Sequence, residues 1–260
     1  VIYVGGISPR LEGAAMKVNV EGFKGGDRTS IELPKAQRDM IAMLKEAGKK
    51  VIFINCSGSA IALEPESRNC EAIMQAWYGG ERGGEAVADI LFGDYNPSGK
   101  LPITFYKNDS QLPDFEDYKM AGRTYRYFKG EPLFKFGHGL SYTTFSYSDL
   151  SLSSPKVKKG KTIEATVTVT NTGQVTGEET VQLYIRDLVG SVTRPVKLLK
   201  ACQKVAIPPG ESRKITFTID NDMLSFWRQD MTFGVEEGDF KVMVGGSSAD
   251  LLQASFTLVP

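Results

Sequence analysis

From about residue 146 onward the chain alternates apolar and polar residues. Ile163, Ala165, Val167 and Val169 interleave with Glu164, Thr166 and Thr168. The pattern returns in Val181, Leu183 and Ile185, in Ile215, Phe217 and Ile219, and in Phe240, Val242 and Val244. A period of two puts every apolar member of a run on one side of a pleated strand, so each strand must bury one face and leave the other in water. Turn formers separate the runs: Asn171-Thr172-Gly173, Pro208-Pro209-Gly210 and Glu236-Glu237-Gly238-Asp239. Short half-buried strands at regular spacing bury their apolar faces by packing sheet against sheet, so residues 146–260 are expected to form a β-sandwich.

The first half follows another rule. Val1–Val4 is a short apolar run, and a glycine- and charge-rich loop extends from it to Ser30. Leu33–Lys50 reads as a helix, with Pro34 in its first turn, where the missing N–H costs nothing, and Gly48 as its stop. Ala36, Met40, Met43, Leu44 and Ala47 recur on one side and are its expected buried face. Lys50–Asn55 is a β-branched apolar run, Cys70–Trp77 a second expected strand beyond a linker, and Gly84–Phe92 a short helix ended by Gly93. Strands and helices in alternation predict an α/β domain with a mainly parallel sheet over residues 1–105. From about 94 to 145 the chain is rich in proline, glycine and aromatics, among them Tyr95, Phe105, Tyr125, Tyr127, Phe128 and Phe136. That is too long for a plain loop, and residues 106–145 are expected to be an ordered arm.

Composition narrows the function classes. The 31 Lys+Arg balance the 31 Asp+Glu, which argues against a general nucleic-acid partner. No apolar run approaches the ~20 residues a membrane helix needs, so no membrane partner is expected. The 3 cysteines, Cys56, Cys70 and Cys202, are too few for a disulfide scaffold, although one bridge stays open. One histidine, His138, excludes a Ser-His-Asp triad that needs another, and with no paired Cys-x-x-Cys spacing no metal is expected. Neither glycine cluster, Gly79–Gly84 or Gly245-Gly246, carries a phosphate-loop or dinucleotide fingerprint, and no cofactor is expected. A chain that opens inside a strand, with no methionine or leader, reads as a piece of a longer protein.

Five stretches carry a resemblance. They are Leu11–Met16 (LEGAAM), Gly25–Arg28 (GGDR), Ala76–Phe105 with its NPSGKLP turn, Gly122–Phe128 (GRTYRYF) and Phe136–Phe145 (FGHGLSYTTF). With these the chain resembles the C-terminal half of a glycoside hydrolase family 3 enzyme of the β-xylosidase and β-glucosidase branch. The resemblance spans essentially the whole chain. It implies a partly truncated α/β sandwich domain followed by a fibronectin type III-like sandwich. It also implies exo-acting hydrolysis of β-linked sugars with retention, using an Asp nucleophile on a barrel this chain does not contain and a Glu acid/base on a loop of the α/β domain. The implied partners are a β-linked oligosaccharide or glycoside and the barrel. A secreted or periplasmic place goes with family habit. An exposed, unpaired sheet edge would also favour self-association.

The implied site departs from the family pattern. Relatives read Leu-Glu-Gly-Glu or Ile-Glu-Ala-Glu after the first strand, the second Glu being the acid/base. Here that position is Ala14, followed by Ala15, and alanine cannot transfer a proton. Either Ala14 is a vacated acid/base position, engineered or natural, or the correspondence slips by two and Glu12 is the acid/base. A loop carboxylate paired with Arg10 is the plain alternative for Glu12. Asp27 and Arg28 match a family Asp-Arg pair beside that loop, as sugar-site residues or as a local ion pair. Arg123 and Tyr125 border a sugar site or, the better-favoured reading, belong to an aromatic–arginine packing ladder. Trp77 and His138 are read as packing residues. Without the nucleophile the isolated chain is expected to be a very poor glycosidase or none.

Overall fold

The computed structural model describes residues 1–12 and 17–260, which divide into two compact units. The first comprises Val1–Tyr95, Thr104–Gly122 and Lys129–Phe134; the second comprises Asn96–Ile103, Arg123–Phe128 and Lys135–Pro260. A cut at residue 105 therefore does not separate them. The expected arm over 106–145 is not one body, since its residues are shared between the two units.

The first unit contains β1 (Ile2–Gly6), α1 (Pro9–Glu12), the two-residue strands β2 (Asn19–Val20), β3 (Phe23–Lys24) and β4 (Asp27–Arg28), then α2 (Lys35–Glu46), β5 (Ile52–Cys56), α3 (Glu64–Asn69), β6 (Ala72–Gln75) and α4 (Gly83–Phe92). Its main sheet has the order β1-β5-β6, and both pairings are parallel, with Ile2 opposite Ile52 and Ile52 opposite Ala72. Phe53, Ile41, Ile61 and Leu63, each at most 1% exposed, centre the core under one face of this sheet. Helix α3 lies in what the sequence suggests is linker.

The buried face of α2 corrects the sequence reading. Met40 and Met43 are exposed by 45% and 61%, and Ala36 and Ala47 are exposed as well. Ile41 is the buried centre, and two polar side chains flank it. The Gln37 amide donates to Gly6 O at 2.6 Å and accepts from Gly6 N at 2.7 Å, closing the end of β1. Arg38 donates to both oxygens of the fully buried Glu66, at 2.9 and 3.2 Å, and to Glu32 at 2.6 Å. An apolar-periodicity argument assigns such residues to the solvent side; partners supplied by other segments reverse that. The helix end follows the sequence. Gly48 takes φ +70°, its N–H reaches Lys45 O at 2.9 Å, and Lys49 N–H reaches Leu44 O at 3.0 Å, a Schellman closure.

The second unit begins in sequence with a strap, residues 96–103, and a turn of helix, α5 (Thr124–Tyr127). Its strands are β7 (Phe145–Leu152), β8 (Lys156–Lys158), β9 (Ile163–Asn171), β10 (Gly177–Asp187), β11 (Leu198–Ile207) and β12 (Ser212–Ile219); after α6 (Asn221–Leu224) come β13 (Phe226–Trp227), β14 (Phe233–Gly234), β15 (Gly238–Gly245) and β16 (Leu251–Val259). Sheets β11-β10-β15-β16-β8 and β12-β9-β7 form the sandwich. The alternating residues do point inward: Ile163, Ala165, Val167 and Val169 on β9 are buried with Leu183, Phe217, Phe240 and Val242. Strand β10 is also covered outside. Phe136 and Tyr125 both meet the Tyr184 ring edge-on, at 6.4 and 6.0 Å, and Gln182 donates to Gly137 O at 3.1 Å. The strap joins the same strand, where Lys100 pairs with the buried Glu179 at 3.1 Å.

Candidate functional site

Parallel strands present the loops after their C-terminal ends along one edge, where α/β proteins place their chemistry. Three such loops meet here: the segment after β1 up to Glu12, the Ser57–Ala60 turn after β5 and the Ala76–Tyr78 turn after β6. The Glu12 carboxylate is their junction. Its Oε2 accepts from Gly58 N at 3.0 Å and from the Tyr78 hydroxyl at 2.5 Å, and its Oε1 accepts from Ser59 Oγ at 2.6 Å. Arg28, on β4, donates through Nη1 to Ser59 Oγ at 2.9 Å and to Ala60 O at 3.0 Å, so guanidinium, hydroxyl and carboxylate form a chain.

Local backbone explains the fit. A Cβ on Gly58 would lie 2.7 Å from Glu12 Oε2 and 2.9 Å from the Tyr78 ring, so only glycine lets these groups close. Trp77 adopts φ +55°, a left-handed conformation rare for a bulky residue, at the turn that leads into Tyr78. Its indole packs edge-on against Phe105 at 6.3 Å, consistent with a packing role.

The electrostatics of Glu12 follow from its partners. Burial raises the carboxyl pKa, but the hydrogen bonds from Ser59, Tyr78 and Gly58 and the charge of Arg28 outweigh it, and the net shift is downward. Glu12 is therefore an anion at neutral pH. Tyr78 is pushed upward by burial and by the adjacent carboxylate, so its phenol keeps its proton. A general acid needs the opposite environment, one that raises a carboxyl pKa and keeps it protonated.

The structure brings Glu12 and Arg28 together. Asp27 does not join them, because successive strand residues face opposite sides and Asp27 is exposed. Ala14, the other acid/base assignment, lies outside the described residues. Arg123 and Tyr125 belong to the second unit. The Tyr125 ring stacks on Phe136 at 4.1 Å and its hydroxyl accepts from Leu199 N at 3.1 Å, while the Arg126 guanidinium lies 5.7 Å from the ring. Burial, then the charge of Lys100, lowers the His138 pKa, which suits a packed neutral imidazole. Cys56, Cys70 and Cys202 are free thiols, and burial followed by the charge of Glu66 pushes Cys70 up to about 11. Among the described residues no group of three or more metal-ligating side chains is assembled. Sequence reasoning missed Gly58, Ser59 and Tyr78. The available signal was their position directly after expected parallel strands.

Residues 1–142 match the Glycosyl hydrolase family 3 C-terminal domain, and residues 179–248 match a Fibronectin type III-like domain. The chain belongs to glycosyl hydrolase family 3. It is 53% identical over 251 residues to a xylan 1,4-beta-xylosidase of Xylanibacter ruminicola, covering 96% of this chain and 29% of that protein. It is 42% identical to a periplasmic beta-glucosidase of Salmonella typhimurium, covering 91% of this chain and 32% of that one. Among solved structures, a β-glucosidase from Erythrobacter marinus superposes with a TM-score of 0.86 at 36% identity, over 99% of this chain and 34% of that one. The family 3 chain thus spans about a third of the length of the relatives it matches. Its α/β unit with a parallel sheet, followed by a fibronectin-like sandwich, is the architecture the motifs implied.

Proposed function

We propose that this chain is the part of a retaining, exo-acting β-glycosidase that supplies the acid/base loop, the nucleophile being carried elsewhere in the longer protein. The 53% identity to a xylan 1,4-beta-xylosidase over 96% of the chain carries this reading. The substrate class is a terminal β-linked xyloside or glucoside, and the place of action is the periplasm or outside the cell.

In such a reaction a carboxylate attacks the anomeric carbon while an acid protonates the leaving oxygen. Water, deprotonated by the same residue, then releases the sugar. Glu12 is unsuited to the proton transfer because its three donors hold it ionised. We assign the acid/base position to Ala14, which leaves this chain deficient at the step needing a proton. Arg28 orders the Ser59 turn beside Glu12, and Arg123 and Tyr125 act in packing.

A hybrid tests this, with residues 1–260 replacing the matching stretch of the Xylanibacter ruminicola enzyme. Hydrolysis of aryl β-xylosides and β-glucosides should be slow with Ala14, rise by orders of magnitude with Ala14→Glu, and be rescued with Ala14 by azide, which fills the space of a missing acid/base. A hybrid inactive with Ala14→Glu overturns the reading. A second reading, a non-catalytic sugar-binding module, is favoured by the Ala14-Ala15 pair alone. Sugar binding by a hybrid that Ala14→Glu fails to activate would support it.

A further inference from the structure

We propose that Tyr78 and Glu12 act as a positioning pair, whose phenol–carboxylate contact fixes the segment after β1 so that the chain beyond Glu12 departs from one defined point. The proposal rests on the reading that this loop leads to the acid/base position, and it assigns roles to two residues that do not themselves touch the reacting atoms.

The segment cannot hold itself. Helix α1 is four residues long, and its turn is closed by Leu11 N–H and Glu12 N–H on the single carbonyl of Ser8, at 2.9 and 3.0 Å. An isolated turn of that length is far below what is stable in water. Leu11 supplies some packing against the core, but no residue of α1 is fully buried. Partners distant in sequence must therefore order it, and those are the three donors on Glu12, separated from it by 46, 47 and 66 residues.

Tyr78 contributes what the other two donors do not. Its hydroxyl lies 2.9 Å from Ile7 O, at the exit of β1, and 2.5 Å from Glu12 Oε2, at the end of α1. The phenol has one proton to give, and the shorter contact assigns it to Glu12, so Tyr78 bonds the end of α1 to the turn after β6 while its oxygen sits against the exit of β1. The turn is built for this: Trp77 holds a left-handed backbone, and Gly58 leaves the space through which phenol and carboxylate meet. Arg28 braces the third side through Ser59. A carboxylate that accepts three hydrogen bonds from two other segments is a fixed point of the structure, and its chemistry is to accept hydrogen bonds and not to donate a proton.

The test uses this chain and the hybrid. In the 260-residue chain, Tyr78→Phe should raise amide hydrogen exchange across Ser8–Glu12 at least tenfold. It should also move the Glu12 carboxyl titration, read by 13C NMR, upward. The thermal midpoint should stay near that of the wild type, because Tyr78 is partly exposed. Gly58→Ala should produce the same local exchange with Tyr78 intact. Unchanged exchange and an unchanged Glu12 titration in Tyr78→Phe would overturn the proposal, as would protection lost equally everywhere. In the hybrid carrying Ala14→Glu, Tyr78→Phe should lower kcat about tenfold, leave KM unchanged and gain nothing from azide. An effect on KM alone would count against positioning. If that hybrid is inactive with Tyr78 in place, the glycosidase reading fails, and the exchange and titration experiments still decide the pair.

Discussion

The sandwich and the α/β unit solve the problem of cohesion differently. Inside the sandwich the contacts are mostly apolar: Phe240 stacks on Phe256 at 5.3 Å, among Val167, Leu183, Phe217 and Val242, although Asn171 is buried there too and donates to Ile207 O at 2.7 Å. The α/β unit has a smaller apolar core and adds polar ties. Gln37 closes the end of β1, the Arg38–Glu66 pair joins α2 to α3, and Glu12 gathers three loops. Apolar burial is non-directional and forgives small shifts. A buried ion pair or a three-donor carboxylate works in one geometry and is costly when half of it is removed. The unit that holds the candidate site is thus the one whose order leans more heavily on directed contacts.

Substitutions can break that contrast, the largest first. Phe240→Ala should cost about 3–5 kcal/mol of sandwich stability, read by denaturant unfolding, because a fully buried ring leaves a cavity. Glu66→Ala removes two acceptors of the Arg38 guanidinium and leaves it Glu32 and Ala62 O; with these partners and 24% exposure of Arg38, the loss should be about 2–3 kcal/mol, below the full cost of a buried unpaired charge. If Glu66→Ala were neutral while Glu66→Gln was not, the pair would be dispensable and the contrast false. Gly48→Ala forces a side chain into a left-handed backbone at the end of α2 and should cost about 1 kcal/mol.

Acidity sharpens the comparison further. The pKa of Glu12 is lowered on folding, so the stability it contributes is present above the ordinary glutamate value of 4.5 and is lost as pH falls through that value and below. The thermal midpoint of the α/β unit should decline in that window, and Glu12→Gln should flatten the decline. An unaltered acid limb in Glu12→Gln would show that the carboxylate is not held as described. The smallest effect expected is weak self-association at high concentration. Ile2 and Val4 are 52% and 66% exposed on β1, which among the described residues pairs only with β5 in the sheet. Light scattering should show mass rising with concentration, less so for Val4→Lys.

Much of the architecture was legible in the chain itself. Strands β9, β10, β12 and β15 follow from alternation, and β5 from its β-branched run. The helix stop at Gly48 follows from a residue that tolerates φ +70°. These are local matters: side-chain period and backbone freedom are properties of consecutive residues and travel with the sequence. Family membership was legible too, because its motifs are contiguous. Tertiary structure alone decided that Met40 and Met43 face outward, that residues 106–145 are shared between two units, and that the Tyr125 ring stacks on Phe136. It alone decided that Glu12 is an anchored anion. Each of those outcomes depends on a partner tens of residues away, and the hydrogen bonds and burial that set a carboxyl's charge exist only once the loops have been brought together.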